Sequence, residues 1–188
     1  MTLDEEYAAA WTTVVELFKI ADALGVPFAL TLHFGLLGTA RVLVEGRRYQ
    51  PHDRGEWALL VAIRGDPDGH SECDDPFASI TSGLLLDIVA IPLRSPNDWA
   101  LRRGSVTHVG AVEPQILGPD PVPVWRSPLA WLRSGCVGVA LLTDDSREQA
   151  SILRDLAGII SEDAAHGREI KALLERPFPT PPILVRAE

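Results

Sequence analysis

Seven consecutive residues without charge, Trp57 to Ile63, run directly into Arg64 and Gly65. An apolar run this short, bounded by turn residues, reads as a largely buried strand rather than a helix. Such a strand must be covered by other elements, because few of its positions tolerate water. Leu84 to Ile91 reads the same way. Apolar residues make up 46% of the 188 and charged residues 23%, so there is enough material for a core without disulfide or metal.

The elements expected around these strands come from caps and turns. Thr2 with Glu5 forms a capping box, and Tyr7, Trp11, Val14, Phe18 and Ala21 make one apolar stripe. A first helix is predicted, ending at Gly25 and Pro27. Phe28, Leu30, Leu32 and Phe34 alternate with smaller or polar residues, predicting a strand over 28–34. Arg41–Val44 and Arg47–Gln50, separated by Glu45-Gly46, predict a hairpin, with a second turn over Pro51–Gly55. Ser95-Pro96-Asn97-Asp98 has the cap, proline and acid of a helix start, so a short helix ending at Gly104 is expected.

Pro114, Pro119, Pro121 and Pro123 then mark a connector. Beyond it, Ser127–Arg133 reads as a helix, Val137–Leu142 as a strand, Ser146 to about Ile160 as a helix, and Ser161–Arg176 as a last helix. The expected fold class is α+β, with an N-terminal helix packed on a mainly antiparallel sheet and followed by a C-terminal αβαα segment. The expected organisation is one body: residues 1–112 with the helix and sheet, a Pro-rich connector over 113–126, the αβαα segment over 127–176 on the same core, and a Pro-rich tail over 177–188.

The formal net charge of −9 disfavours nucleic acid as a partner, since the 17 basic residues form no run longer than Arg47-Arg48 or Arg102-Arg103. Ala23 to Ala40 lacks acidic and basic residues apart from His33, but Pro27 and three glycines interrupt it, so no membrane span is expected. Cys73 and Cys136 have no metal-type or CxxC spacing, and the opening residues lack a signal-peptide pattern. A cytoplasmic setting is expected from both.

Candidate chemistry is sparse. The stretch from Gly65 to Gly83 carries Asp66, Asp68, His70, Glu72, Cys73, Asp74 and Asp75. Carboxylates with a histidine suit Mg²⁺ or Mn²⁺, and Asp66, Asp68, His70 and Asp87 are the ligand candidates of a metal reading. Their spacing matches no known cage, and a solvated acidic loop explains them as well. Asp87 sits within an apolar strand, in the alternation of Leu85, Val89 and Ile91, so it needs an arginine, backbone amides or a metal as partner. Thr143, Asp144 and Asp145 follow a strand and precede a helix, where α/β sheets often bind ligands, but helix entry accounts for them equally. A P-loop is excluded, since GxxxxGK[ST] is missing and Lys19 and Lys171 are the only lysines.

No coherent catalytic constellation emerges and no cofactor is implied. The leading expectation is a non-catalytic protein-interaction or accessory module that binds a protein partner or itself. Trp125 and Trp131 beside the connector, and Ile183, Leu184 and Val185 in the tail, are its candidate contact residues. The alternative is a divalent-metal-dependent enzyme acting on a phosphoester or related polar substrate.

Overall fold

A computed structural model describes residues 2–10, 14–33, 35–65, 83–110 and 120–178. The chain is α+β. Helices α1 (Leu3–Ala10), α2 (Val14–Ala23) and α3 (Phe28–Thr31) precede strands β1 (Leu37–Glu45), β2 (Arg48–Pro51), β3 (Glu56–Gly65), β4 (Leu84–Pro92) and β5 (Ala100–Leu101). These five strands close into a barrel in the order β1-β2-β5-β4-β3. Next along the chain are β6 (His108–Val109), β7 (Val122–Trp125), α4 (Pro128–Arg133), β8 (Val139–Leu141), α5 (Ser146–Arg154), β9 (Ile159–Ser161) and α6 (Ala164–Leu174). Their strands build a second sheet ordered β6-β8-β7-β9.

β3 shows why both sheets are needed. Ala58, Leu60 and Ala62 face one cluster with Val42, Tyr49, Ile88 and Ala90, while α1 contributes Leu3, Tyr7 and Ala10 to it. Leu59, Val61 and Ile63 face another, shared with α2, α4, and Ala140 and Leu142 of the second sheet region. The period of two in a strand sends alternate residues to opposite faces, and here both faces are dry. A third cluster, with Val122, Val139, Leu153 and Ile170, packs α5 and α6 on the far side of the second sheet.

Several local expectations match. The Thr2–Glu5 box is reciprocal: Glu5 N–H donates to Thr2 Oγ1 at 3.2 Å, and Thr2 N donates to Glu5 Oε2 at 2.7 Å. A β1–β2 hairpin forms as expected, but its turn is Gly46-Arg47, one residue later than Glu45-Gly46, because Glu45 pairs with Arg48 and Gly46 takes φ 61°. Ser127 caps α4 by accepting from Ala130 N–H at 3.2 Å, with Pro128 in the first turn.

Others differ for identifiable reasons. The first apolar stripe belongs to two helices, with Tyr7 in the barrel-side cluster and Ala21 in the other; Trp11 lies outside the described residues. The expected strand over 28–34 is helical over 28–31. The two exposed residues Phe28 and Leu32 are one helical turn apart, and Leu30 faces inward. Residues 95–98 form a turn in which Asp98 N–H donates to Ser95 O at 2.9 Å. The expected helix there gives way to β5, because Leu101 and Ala100 pair with β4 and Leu101 with β2 to close the barrel.

Part of the proline connector is a central strand. Val122 N–H donates to Gly158 O at 2.9 Å, so by alternation position 123 points its nitrogen toward β8. The β8 ladder starts only at Val124, opposite Val139. The carbonyl that an amide at 123 would meet, Val137 O, already accepts the Trp125 indole N–H at 2.7 Å. Pro123 therefore costs no ladder bond. Finally, 159–161 is strand rather than helix, and Asp163, not Ser161, caps α6 by accepting from His166 N–H at 2.8 Å. Likewise Asp145 rather than Ser146 caps α5.

Trp131, a candidate contact residue by its sequence position, is fully buried, and Trp125 is half-buried with its indole N–H on Val137 O at 2.7 Å. Their burial results from α4 lying between the two sheets. Trp131→Ala should therefore lower unfolding free energy by about 3–5 kcal/mol in urea titrations. A loss under about 1 kcal/mol would show that this indole does not fill the core.

Candidate binding groove

The buried ionisable groups are committed to structure. Asp87 is 0% exposed. Its Oδ1 accepts from Ile88 N–H and Arg103 N–H, both at 2.8 Å, and its Oδ2 accepts from Ser105 N–H at 2.9 Å and Ser105 Oγ at 3.2 Å. Backbone amides are thus its partners, and they tie the segment after β5 to the middle of β4. The register slips between Ile63–Asp87 and Arg64–Leu85, so Leu86 is a bulge residue. That bulge puts Leu85 with the barrel-side cluster, opposite to the face the simple alternation assigns it.

At the α1 end of the barrel, Glu6 accepts from Tyr49 Oη at 3.1 Å and from Arg102 Nε at 2.7 Å. Burial, then the Glu6 carboxylate, holds the Tyr49 hydroxyl far above its ordinary value. It stays a hydrogen-bond donor at neutral pH, fixing α1 to β2. Burial likewise pushes the Cys136 thiol up to about 12, so it is not a thiolate nucleophile.

The second sheet is parallel over β8-β7-β9, with α4 on the barrel side and α5 and α6 opposite. Its carboxyl edge carries Arg126, Thr143–Asp145 and Glu162–Asp163. Arg126 donates to Asp163 Oδ2 at 2.7 Å and to Glu162 and Glu169 at 3.4 Å. Those bonds hold Asp163 well below the usual carboxylate range. His166 is lowered by burial first and by Arg126 second, and its Nδ1 accepts from Glu162 N–H at 3.3 Å. Asp145 is the α5 cap, whereas Asp144 reaches Arg47 at 3.7 Å.

Arg47 leads to the groove. Its guanidinium lies 4.1 Å from the Trp99 ring centroid and donates to Trp99 O at 3.3 Å. It borders a cavity of about 690 Å³ that is also lined by Val44, Arg54, Glu56, Asn97 and Asp98. The cavity exists because β1 outruns β3: their ladder stops at Val42–Glu56, while β1 continues to Glu45 along β2. Arg41 O accepts from His52 N–H at 3.0 Å, so odd residues of this stretch face β2 and Val44 faces away from it. On that side no strand pairs with Val44 among the described residues. The groove thus offers a backbone N–H and C=O between two arginines and two carboxylates.

Asp66, Asp68 and His70 lie outside the described residues, as do Ile183, Leu184 and Val185. Among the described residues no three His, Cys, Asp or Glu side chains converge to hold a metal. No helix among them is long and apolar enough to cross a membrane. Sequence reading missed Arg47, Arg54 and the open β1 edge. The sequence carries no signal for it: the two strands expected there, Arg41–Val44 and Arg47–Gln50, are equal in length, and only the structure extends the first over Leu37–Glu45.

Two measurements check this account. Asp87→Ala should cost about 3–5 kcal/mol in denaturant unfolding, since it leaves buried amides of 103 and 105 without an acceptor; a cost below about 1 kcal/mol would contradict the anchor. For His166, the unfolded group takes up its proton around the ordinary value of 6.5 and the folded group only at lower pH. Its stabilising contribution is complete above that value and is lost as pH falls through the depressed one. The drop in melting temperature from about pH 7.5 to about pH 5.5 should accordingly shrink in His166→Gln, and an unchanged drop would remove His166 from the account. Searches against family models, curated proteins and solved structures find no match to this chain.

Proposed function

We propose that the protein is a non-catalytic interaction module whose barrel groove receives an extended segment of a protein partner. The observation that carries this reading is the open β1 edge at Val44, with its backbone groups turned into a polar groove of about 690 Å³. A peptide strand laid there gains main-chain hydrogen bonds, the usual source of affinity in strand addition. Arg54 forms no ion pair among the described residues, so it is available to a carboxylate of the incoming segment. Glu56 and Asp98 offer the complementary sign. Arg47 is held by Trp99 and Asp144, which limits the side-chain entropy lost on binding. The buried carboxylates and tyrosine support the same reading, because their hydrogen bonds brace the barrel rather than face the groove.

The test is a display selection of mixed-charge peptides on the immobilised chain, followed by binding to two variants. Val44→Pro removes the groove-facing N–H without touching a β1–β2 bond, and Arg54→Glu inverts the charge. Selected peptides should bind wild type and lose at least about tenfold in affinity, roughly 1.4 kcal/mol, on each variant at unchanged melting temperature. Peptides that bind all three proteins equally, or a selection that yields none, would refute the groove.

A further inference from the structure

We infer that the partner segment enters the barrel groove by its C-terminal end and sets its terminal carboxylate on Arg54. The inference rests on the strand-addition reading above and names which part of a partner that site takes. Its basis is that the lane beside β1 is closed at one end.

The lane is what β3 leaves by starting late. Val42 pairs with Glu56, the first residue of β3, and Val44 lies two residues farther along β1. At about 3.4 Å per residue, a strand bonded to Val44 runs only roughly 7 Å before it meets Glu56. One residue, opposite Leu43, fits between. The way out over β1 is also taken, because the protein's own connection from β2 to β3 crosses there. A Cβ added at Gly55 would strike the Val42 backbone. On the other flank, Leu93 N–H donates to Trp57 O at 2.9 Å, so the chain after β4 runs on past the start of β3. Its residues Ser95, Asn97 and Asp98 line the far side of the cavity, and Ser95 Oγ donates to Glu56 Oε1 at 3.3 Å. A strand that pairs with Val44 therefore begins or ends at the wall made by Arg54, Gly55 and Glu56.

Direction and charge choose the ending. An antiparallel strand exchanges both backbone bonds of Val44 with a single residue, and antiparallel pairing is slightly the more stable. Such a strand runs the same way as β3, so its last residue is the one at the wall. Of the two charged side chains there, Glu56 is engaged by the Ser95 hydroxyl, whereas Arg54 makes no ion pair among the described residues. Asp98 belongs to the open end, next to the Trp99 ring that Arg47 covers. The uncompensated charge at the wall is thus positive. It suits a chain-end carboxylate, which accepts charge-assisted bonds from a guanidinium, and opposes a chain-end ammonium.

Two peptide libraries test the inference, one displayed with a free C-terminus and one with a free N-terminus. Binders that Val44→Pro weakens should come from the first. As synthetic peptides they should lose at least about tenfold in affinity when the C-terminus is amidated or extended by glycines, and N-acetylation should leave them unchanged. In Arg54→Gln the acid and amide forms should bind within about twofold of each other. Three results would overturn the carboxylate and leave the groove standing: Val44-dependent binders indifferent to amidation and extension, equal enrichment from the N-terminal library, or an amidation cost that persists in Arg54→Gln. Failure of both libraries would remove the groove itself and this inference with it.

Discussion

The carboxylate of Asp87 holds the two ends of the barrel's closure together. β5 is only Ala100–Leu101, yet it is the strand that joins β2 to β4. So short a strand has little ladder of its own, and its position depends on how residues 102–105 are anchored. The hydrogen bonds from Arg103 and Ser105 to Asp87, with Arg102 N–H on Ile88 O at 2.9 Å, fasten that continuation to the middle of β4. A buried charge is costly, but one that accepts from several amides replaces most of its lost hydration. The same stretch supplies Arg102 to Glu6, so α1 is tied to the barrel through the segment that closes it.

Closing the barrel makes β3 and β4 a wall between two interiors. Ala58, Leu60, Ala62, Ile88 and Ala90 pack with α1, and Leu59, Val61, Val89 and Ile91 pack with α2, α4 and residues of the second sheet region. The second sheet then leans on the barrel through Trp131, Leu132, Ala140 and Leu142 while α5 and α6 cover its other side. Removing either side of this arrangement would leave strands such as Trp57–Ile63 with an uncovered apolar face.

The polar chemistry is distributed by the same geometry. Inside the fold, Asp87, Glu6 and Tyr49 are hydrogen-bonded by their neighbours. Groups free to meet a ligand sit where strands fail to match in length. β1 overruns β3 at Val44. There backbone polarity adjoins a cavity, which is the combination that strand addition requires.

The sequence alone determined the features that depend on near neighbours. The Thr2–Glu5 box, the Ser127-Pro128 helix start, the existence of the hairpin around Gly46 and the two apolar strands were legible because each is set by residues a few positions apart. Only the tertiary structure decided the rest. Phe28–Thr31 is helical because Leu30 faces the core while Phe28 and Leu32 do not. Ala100–Leu101 is a strand because the barrel needs closing, and Val122–Trp125 is one because β8 asks nothing of Pro123. Leu86 bulges to let Asp87 meet amides sixteen and eighteen residues away. The groove arises from a mismatch in strand length across a ladder. Such features depend on partners distant in the chain, and local pattern carries no record of them.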